Sequence, residues 1–366
     1  MKEKISARQF KLLVILFSIG TTILVIPSGL AADAKQDAWI AAVIGTIIGM
    51  CFTKFYVLMG RQLGEHNWID YSKIVLGKWL GNFLNVLFVF FCFIGASTLL
   101  FYIGNFMNTQ IMPETPIEFI NILFALIVVM GVRLGVETLA RAAEVFFPYI
   151  VLLFLFLLVF ISPEMDFNNL RPLFETGVKP LTHGVLSMLV IATFPLIVMF
   201  MIYPFQIDTP ERAEHGFIKA SFVGGIFMIG ITFMCVTVLG FDTTKRLVYP
   251  SYELAKIISV GHFVDRVESS VAAFWILAIY FKTSLYFYGF VTGLGQLCQL
   301  TQYRSIVFPC GMLIVVYSLV VYPNVTYMHE WDDKVFIPYA IFMGVVIPAL
   351  LFVVGKIRSQ SLDSKG

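Results

Sequence analysis

Long apolar segments follow one another along nearly the whole chain, separated by short polar joints. A helix needs roughly 20 mostly apolar residues to cross the hydrocarbon core of a bilayer. Only 13% of the 366 residues are charged, against roughly 25% in a soluble domain. A β-barrel is disfavoured because its strands alternate apolar and polar residues in segments of roughly ten. The sequence therefore predicts an all-α integral membrane protein.

We predict ten transmembrane helices within a single transmembrane domain, residues 1–366. The first apolar run continues through Pro27 and Gly29 without a signal-peptide cleavage site, so we expect it to be retained as the first span. The predicted spans are residues 10–31, 39–59, 81–107, 117–134, 143–161, 182–204, 219–240, 269–297, 305–323 and 335–355.

The distribution of Lys and Arg predicts that both termini are cytoplasmic. An even number of spans places the two termini on one side, and the joints on that side hold twice as many Lys and Arg residues as the opposite joints. Positively charged joints remain in the cytoplasm. Within the long opposite joint 241–268, the polar stretch 251–268 is compatible with a helix, and we expect it to lie along the membrane surface.

Enzymatic and nucleic-acid functions find no support in the sequence. The net charge is only +2 and there is no basic run, so nucleic acid is not an expected partner. The five histidines are scattered over different joints, and no metalloprotease, serine-hydrolase or phosphate-loop motif occurs. The five cysteines lie in apolar segments without metal-ligand spacing. We predict no catalytic residue, no metal and no cofactor.

Span one contains a pattern that favours a break in its middle, Gly20-Thr21-Thr22, followed by Pro27. Glycine, β-branched hydroxyl residues and a downstream proline all weaken a helix. Lipid cannot satisfy the backbone groups that an opened turn frees, so a break must face protein or a water-filled cavity. The alternative interpretation is a simple kink, in which a hydroxyl bonds back to the preceding turn.

Span six has a similar pattern at the corresponding place in the second half, Thr193-Phe194-Pro195. Interrupted helices at matching positions of two halves indicate a transporter-type binding site built from inverted repeats. Helix ends at such breaks carry partial charges that suit the carboxylate and ammonium groups of a small polar molecule. The pair of breaks therefore predicts a mid-membrane site.

Lys282 is the most deeply placed charge, with apolar sequence on both sides of it in span eight. A lysine at the centre of a membrane helix costs roughly 2.5–3.5 kcal/mol on the insertion scale, so something inside the bundle must compensate. It could occupy the site of a coupling cation or contact an anionic group. The alternatives are snorkelling to the surface and a structural bond to carbonyls of a broken helix. Thr283 adjoins it and Tyr286 shares its helical face.

Several segments resemble a known family, the endospore germination permeases, which are the B subunits of spore germinant receptors and belong to the amino acid-polyamine-organocation superfamily. The resemblance extends from Ser6 to Lys356. It rests on the order and spacing of GTTILVIPSGL (20–30), DAWIA (37–41), GVETLAR with AEVFFP (135–148), NLRPLFETGVKPLTHG (169–184) and YPSYELAKIISVGHFVDRVESSVAAFW (249–275).

This resemblance implies a leucine-transporter-like fold with a five-plus-five inverted repeat, residues 10–161 and 182–355, in which helices 1 and 6 are broken. It implies the inner membrane of the spore, surrounding lipid, and A and C subunits as partners. It also implies a pocket for a small germinant, lined by Gly20, Thr21, Thr22, Ile23, Ala96, Thr193, Phe194, Lys282, Thr283 and Tyr286.

Three functions are compatible with these features. The first is a nutrient-sensing subunit that binds an amino acid or sugar and triggers germination, and the second is a proton- or cation-coupled amino acid transporter. The third is a scaffold for partner subunits. Relatives often carry a Gly-Glu pair after the span-six proline, where this chain has Leu196-Ile197-Val198. The loss of that carboxylate removes an expected cation contact.

Overall fold

The chain is all-helical in the computed structural model, which describes residues 3–257 and 267–363. Its α-helices are α1 (Ala7–Ile19), α2 (Thr22–Ala34), α3 (Ala38–Leu63), α4 (Trp68–Phe106), α5 (Ile117–Leu134), α6 (Val136–Ile161), α7 (Val178–Ala192), α8 (Pro210–Arg246), α9 (Pro250–Ile257), α10 (Val267–Leu297), α11 (Val307–Val320), α12 (Val325–Trp331), α13 (Ile337–Ile341) and α14 (Ile347–Asp363). The longest of the 3-10 segments is Phe194–Met201. Three π-helical segments occur within these two ranges, Met107–Ile111, Asp332–Phe336 and Phe342–Val346.

Eight helical stretches in the described ranges are long and apolar enough to cross a membrane. They are Thr22–Leu63, Trp68–Ile111, Ile117–Leu134, Val136–Glu164, Val178–Met201, Pro210–Arg246, Val271–Leu297 and Thr326–Arg358. The first predicted span is divided, because α1 ends after 13 residues and α2 then leads toward α3. The ninth contains only the 14-residue α11. These two segments account for the difference from the ten predicted spans.

The surface of α6 is apolar in the way expected of a helix in contact with lipid. Val145, Tyr149, Leu152, Leu155 and Val159 are each more than half exposed. Their spacing of three or four residues puts them on one face of the helix. Water would leave such a continuous apolar face unfavourably solvated, whereas lipid tails are as apolar as the side chains themselves.

The predicted surface helix differs from the structure in the part that is described. α9 covers residues 250–257 and packs against α2, α8 and α10. Leu254 and Ala255 are fully buried, so α9 belongs to the bundle and does not lie along its surface. Residues 258–266, the middle of the predicted surface segment, lie outside the described residues.

Close helix packing holds α8 against α1, α2 and α3. Gly225 on α8 faces Thr46 on α3, and a Cβ atom added to Gly225 would be 2.1 Å from the Thr46 Cγ2 atom. Small residues of this kind allow membrane helices to approach closely, which replaces the hydrophobic driving force that lipid cannot provide. Gly216, on the same helix, has more room, since its added Cβ would find its nearest neighbour at 3.5 Å.

We expect Gly225→Ala to destabilise the protein and Gly216→Ala to leave it unchanged or slightly more stable. The new methyl group at position 225 would collide with Thr46, and such overpacking costs about 1–3 kcal/mol. Thermal unfolding of the detergent-solubilised proteins measures the difference. Equal melting temperatures for the two variants would contradict the packing of α8 on α3.

Candidate functional site

The first helix is interrupted between α1 and α2. Gly20 has φ −32° and ψ −86°, which is outside the helical region. The Thr22 hydroxyl donates a hydrogen bond to the Ser18 carbonyl across the gap. This bond satisfies a carbonyl near the end of α1, where helical partners are missing. The helix is therefore interrupted at residues 20–21, and the Thr22 hydroxyl bonds back to the preceding turn, as the kink alternative describes.

The second interruption lies at the end of α7. This helix ends at Ala192, Thr193 follows, and the chain continues as the 3-10 segment Phe194–Met201. The Tyr56 hydroxyl lies 3.1 Å from the Phe194 carbonyl oxygen and 2.6 Å from that of Gly344. A side chain from α3 thus supplies a donor where the helical ladder changes, as the second predicted break requires.

Lys282 connects the two interruptions. It lies in the middle of α10, with 3% of its surface exposed. Its Nζ donates hydrogen bonds to the Thr21 Oγ1 and to the Ile191 carbonyl oxygen, both at 3.2 Å. Thr21 lies in the first gap and Ile191 in the last turn of α7, where carbonyls lack helical partners. Of the alternatives that the sequence left open, snorkelling is wrong for this lysine, and the bond to the Ile191 carbonyl is the structural bond at a broken helix.

One contact with an aromatic ring and one with a glycine hold the Lys282 side chain in this position. Its Nζ lies 5.5 Å from the centroid of the Phe17 ring on α1, within the range of a cation–π contact. Its stem lies directly against Gly20, where an added Cβ would be 2.7 Å from the Lys282 Cβ and 2.6 Å from its Cδ. Glycine at position 20 therefore allows the lysine to pass the break.

A cavity of about 60 Å³ adjoins the Lys282 amine. Three of the residues predicted for the pocket line it, Thr21, Lys282 and Tyr286. The other lining residues are Val25, Gly95, Thr98, Leu99, Tyr102, Ile191, Tyr322, Asp332 and Phe336. This volume holds a few water molecules and is well below the roughly 300 Å³ at which pockets for drug-sized ligands begin. The site is contracted around its polar groups.

The other predicted residues on the first and third spans surround the cavity without lining it. Gly20 lies behind the Lys282 stem. Thr22 and Ile23 are buried in the bundle. Ala96 is buried as well, and its neighbour Gly95 lines the cavity in its place.

The remaining predicted residues also lie away from the cavity wall. Thr193 lines a separate small void of about 10 Å³. The Phe194 ring packs edge-on against Phe52, with ring centroids 5.0 Å apart. Thr283 is fully buried, and its hydroxyl has no hydrogen-bond partner among the described residues.

Asp332 is the charged residue among the lining residues that the sequence did not indicate. It begins the π-helical turn Asp332–Phe336, and its carboxylate accepts hydrogen bonds from the Tyr102 hydroxyl at 2.6 Å and the Tyr322 hydroxyl at 3.4 Å. Sequence pattern assigned it to the joint before span ten, because Asp332-Asp333 interrupts apolar sequence. Lys282 is therefore not the only charge in the interior of the bundle.

A larger cavity of about 320 Å³ adjoins the first and shares three lining residues with it, Val25, Ile191 and Asp332. We call this larger cavity the vestibule. Its wall also carries Asp33, Lys245, Arg246 and Asp333. A third cavity of about 290 Å³, lined by Gln206, Tyr288 and Arg304 among others, shares no lining residue with either of these. Among the described residues, the central cavity therefore shares part of its wall with the vestibule and none with this third cavity.

Comparison with known proteins identifies the family. The family model described as "Spore germination protein" matches residues 4–326. The chain belongs to this family. Spore germination protein KB of Bacillus subtilis strain 168 is 29% identical over 373 aligned residues, covering 100% of this chain and 98% of that protein. The family is non-enzymatic, in agreement with the absence of a catalytic pattern in the sequence.

Solved transporter structures share the fold. The crystal structure of MhsT in complex with L-phenylalanine has a TM-score of 0.71 at 13% identity, covering 97% of this chain and 89% of MhsT. Mhp1, a nucleobase-cation-symport-1 family transporter in a closed conformation with bromovinylhydantoin bound, has a TM-score of 0.64 at 11% identity, covering 99% of this chain and 91% of Mhp1. The spore germination protein described here is therefore a multi-pass integral membrane protein with an MhsT-like fold.

We expect Gly20→Ala to disrupt the site, whereas Gly184→Ala should be tolerated. An alanine at position 20 would force α10 away, because the nearest atoms include the Cβ of Lys282, which cannot swing aside. Gly184 is also a buried helical glycine, but its added Cβ would meet no atom closer than 3.5 Å. Spores carrying each variant are compared in their response to nutrient, with immunoblots of the spore membrane as the control. A normal response with Gly20→Ala would contradict the close contact of Gly20 with Lys282.

Proposed function

We propose that this chain is the nutrient-sensing transmembrane subunit of a spore germinant receptor. In this proposal a small germinant, an amino acid or a sugar, binds in the central cavity between the interrupted helices and triggers germination. The observation that carries the proposal is the hydrogen bonding of Lys282 to both interruptions. One side chain thereby links α10 to α1 and α7, so a ligand that displaces it would act on three helices together.

The finer architecture belongs to the same proposal. We infer ten membrane spans in two inverted repeats, 10–161 and 182–355, with α1 and α2 forming the first span and α11 the ninth. The MhsT-like fold and the two matched interruptions support this arrangement. The excess of Lys and Arg on one side supports cytoplasmic termini. Family membership supports the spore inner membrane as the location, and A and C subunits as partners.

The small volume of the central cavity explains how binding can produce a signal. In this proposal the cavity of about 60 Å³ expands when it takes up an amino acid or a sugar. The ligand must therefore bind better to an expanded state than to the contracted one. A ligand shifts such an equilibrium only through its different affinities for the two states, and about 10⁴-fold preference moves it from 1:99 to 99:1. In this proposal the expansion of the cavity is the source of the difference in affinity.

The candidate binding residues divide into two groups under this proposal. Thr21, Lys282 and Tyr286 line the contracted cavity and would contact the ligand directly. Gly20, Thr22, Ile23, Ala96, Thr193, Phe194 and Thr283 would act by shaping the interruptions and the packing behind them, or would reach the ligand only after expansion.

A proton- or cation-coupled amino acid transporter is the second candidate. The observation that favours it is the similarity to transporters over nearly the whole chain. Counterflow of labelled amino acid in proteoliposomes distinguishes the two functions. Binding without flux would support sensing, whereas saturable counterflow that Lys282→Met removes would support transport. Absence of both binding and flux for every nutrient that triggers the spores would contradict both candidates.

We expect Lys282→Met to abolish the nutrient response or to raise the half-maximal nutrient concentration by more than about tenfold, which corresponds to a loss of about 1.4 kcal/mol. Methionine keeps much of the side-chain volume but leaves the Thr21 hydroxyl and the Ile191 carbonyl without their donor. Lys54→Met, at an exposed position of α3, is the matched control. Germination is followed by loss of optical density. An unchanged response with Lys282→Met would favour a scaffold role for the chain.

A further inference from the structure

The central cavity carries charges of opposite sign in its wall. Lys282 contributes an amine and Asp332 a carboxylate. Neither forms an ion pair within the described part of the chain, with the other or with a third group. The amine is bonded to a hydroxyl and a carbonyl, and the carboxylate to two hydroxyls. Two groups of opposite formal charge therefore line one cavity, each hydrogen-bonded to neutral partners.

Asp332 lies where a ligand must pass. It is one of the three residues shared by the central cavity and the vestibule, and it is the charged one among them. It also begins one of the π-helical turns in the last span, and Phe336 at the end of that turn lines the cavity too. π-helical turns inside membrane helices occur frequently at functional sites. Position and local geometry thus both direct the carboxylate toward the route of entry.

Two hydrogen bonds orient the Asp332 carboxylate. Tyr102 on α4 and Tyr322 after α11 donate to different oxygens, Oδ2 and Oδ1. A carboxylate has about four acceptor positions, so two hydroxyls leave capacity for a further donor. In surroundings of low dielectric constant a charged donor bonds to a carboxylate more strongly than a neutral one does. A primary ammonium group fits that remaining capacity.

We infer that the ligand is a zwitterionic amino acid whose ammonium group is bound by Asp332. The carboxylate of the bound amino acid then faces Lys282, Thr21 and the N-terminal end of α2, where the helix dipole favours negative charge. A neutral sugar offers the carboxylate no charged donor and the amine no charged acceptor, so its hydrogen bonds to these two groups would be the weaker ones. This inference rests on the proposed function and narrows its ligand from "amino acid or sugar" to one class. Asp332 thereby becomes a specificity-determining residue, and Tyr102 and Tyr322 position it.

The first test uses wild-type spores that carry the complete receptor. The probes are the common L-amino acids, their N-acetyl derivatives, D-glucose and inosine, each scored by the concentration that gives half-maximal germination. We expect at least one free amino acid to be active and its N-acetyl derivative, which lacks the ammonium group, to be inactive. Equal activity of the two, or a response to glucose or inosine alone, would overturn the inference and leave the proposed function standing.

The second test compares variants against the active amino acid. Asp332→Asn keeps the shape and removes the charge, and we expect the half-maximal concentration to rise about 10- to 100-fold, the range for loss of a hydrogen bond to a charged group. Glu330→Gln is the matched control, since Glu330 is exposed on the neighbouring α12, lines neither cavity and makes the same change of charge. An unchanged concentration for Asp332→Asn at normal protein level would overturn the inference.

A third variant covers the case in which Asp332→Asn does not accumulate in the membrane. Tyr102→Phe retains the carboxylate and removes its 2.6 Å hydrogen bond, and we expect a smaller rise, of several-fold, for the active amino acid. No change would overturn the positioning of Asp332. If no probe produces a response that depends on this chain, both the proposed function and the inference fail. If a probe without an ammonium group produces such a response, only the inference fails.

Discussion

The bonding of Lys282 to Thr21 and Ile191 is the interaction on which the rest of the site depends. Two helices are interrupted inside an apolar bundle, and the polar groups freed by the interruptions cannot be solvated by lipid. A long cationic side chain from a third helix reaches both. The lysine itself would be too costly at that depth without such acceptors. The interrupted helices therefore need the lysine as a donor, and the lysine needs the interrupted helices for its acceptors.

The central cavity, the vestibule and the close helix contacts follow from that arrangement. Gly20 allows the lysine stem to pass the first interruption, and Gly95 leaves room for the Tyr286 ring, since an added Cβ would be 2.5 Å from it. Glycine at both positions brings three helices to one point. The cavity that remains is small because the side chains around it are large. Lys282 lies where the helices meet, and Asp332 lies at the junction with the vestibule.

Much of this site was predictable from the sequence, for identifiable reasons. Lys282 stands alone in apolar sequence, and the glycine, hydroxyl and proline pattern predicted both interruptions. Ala96 was predicted in place of Gly95 because successive helix positions differ by about 100° in direction, and no pattern in one sequence decides which of two small neighbours faces inward. Ile191 acts through its carbonyl, which no side-chain pattern can indicate. Asp332 was missed because a carboxylate at the end of an apolar run has the sequence pattern of a loop.

The cation at the interrupted helices is covalently part of the chain. An ion taken up from solution would dissociate as its concentration falls, and the closed arrangement would then loosen by mass action. Lys282 cannot dissociate in this way, because its local concentration is set by the length of its own side chain. The link between the two interruptions is therefore intramolecular, and its strength is set by the fold of the chain and not by the concentration of a dissolved ion.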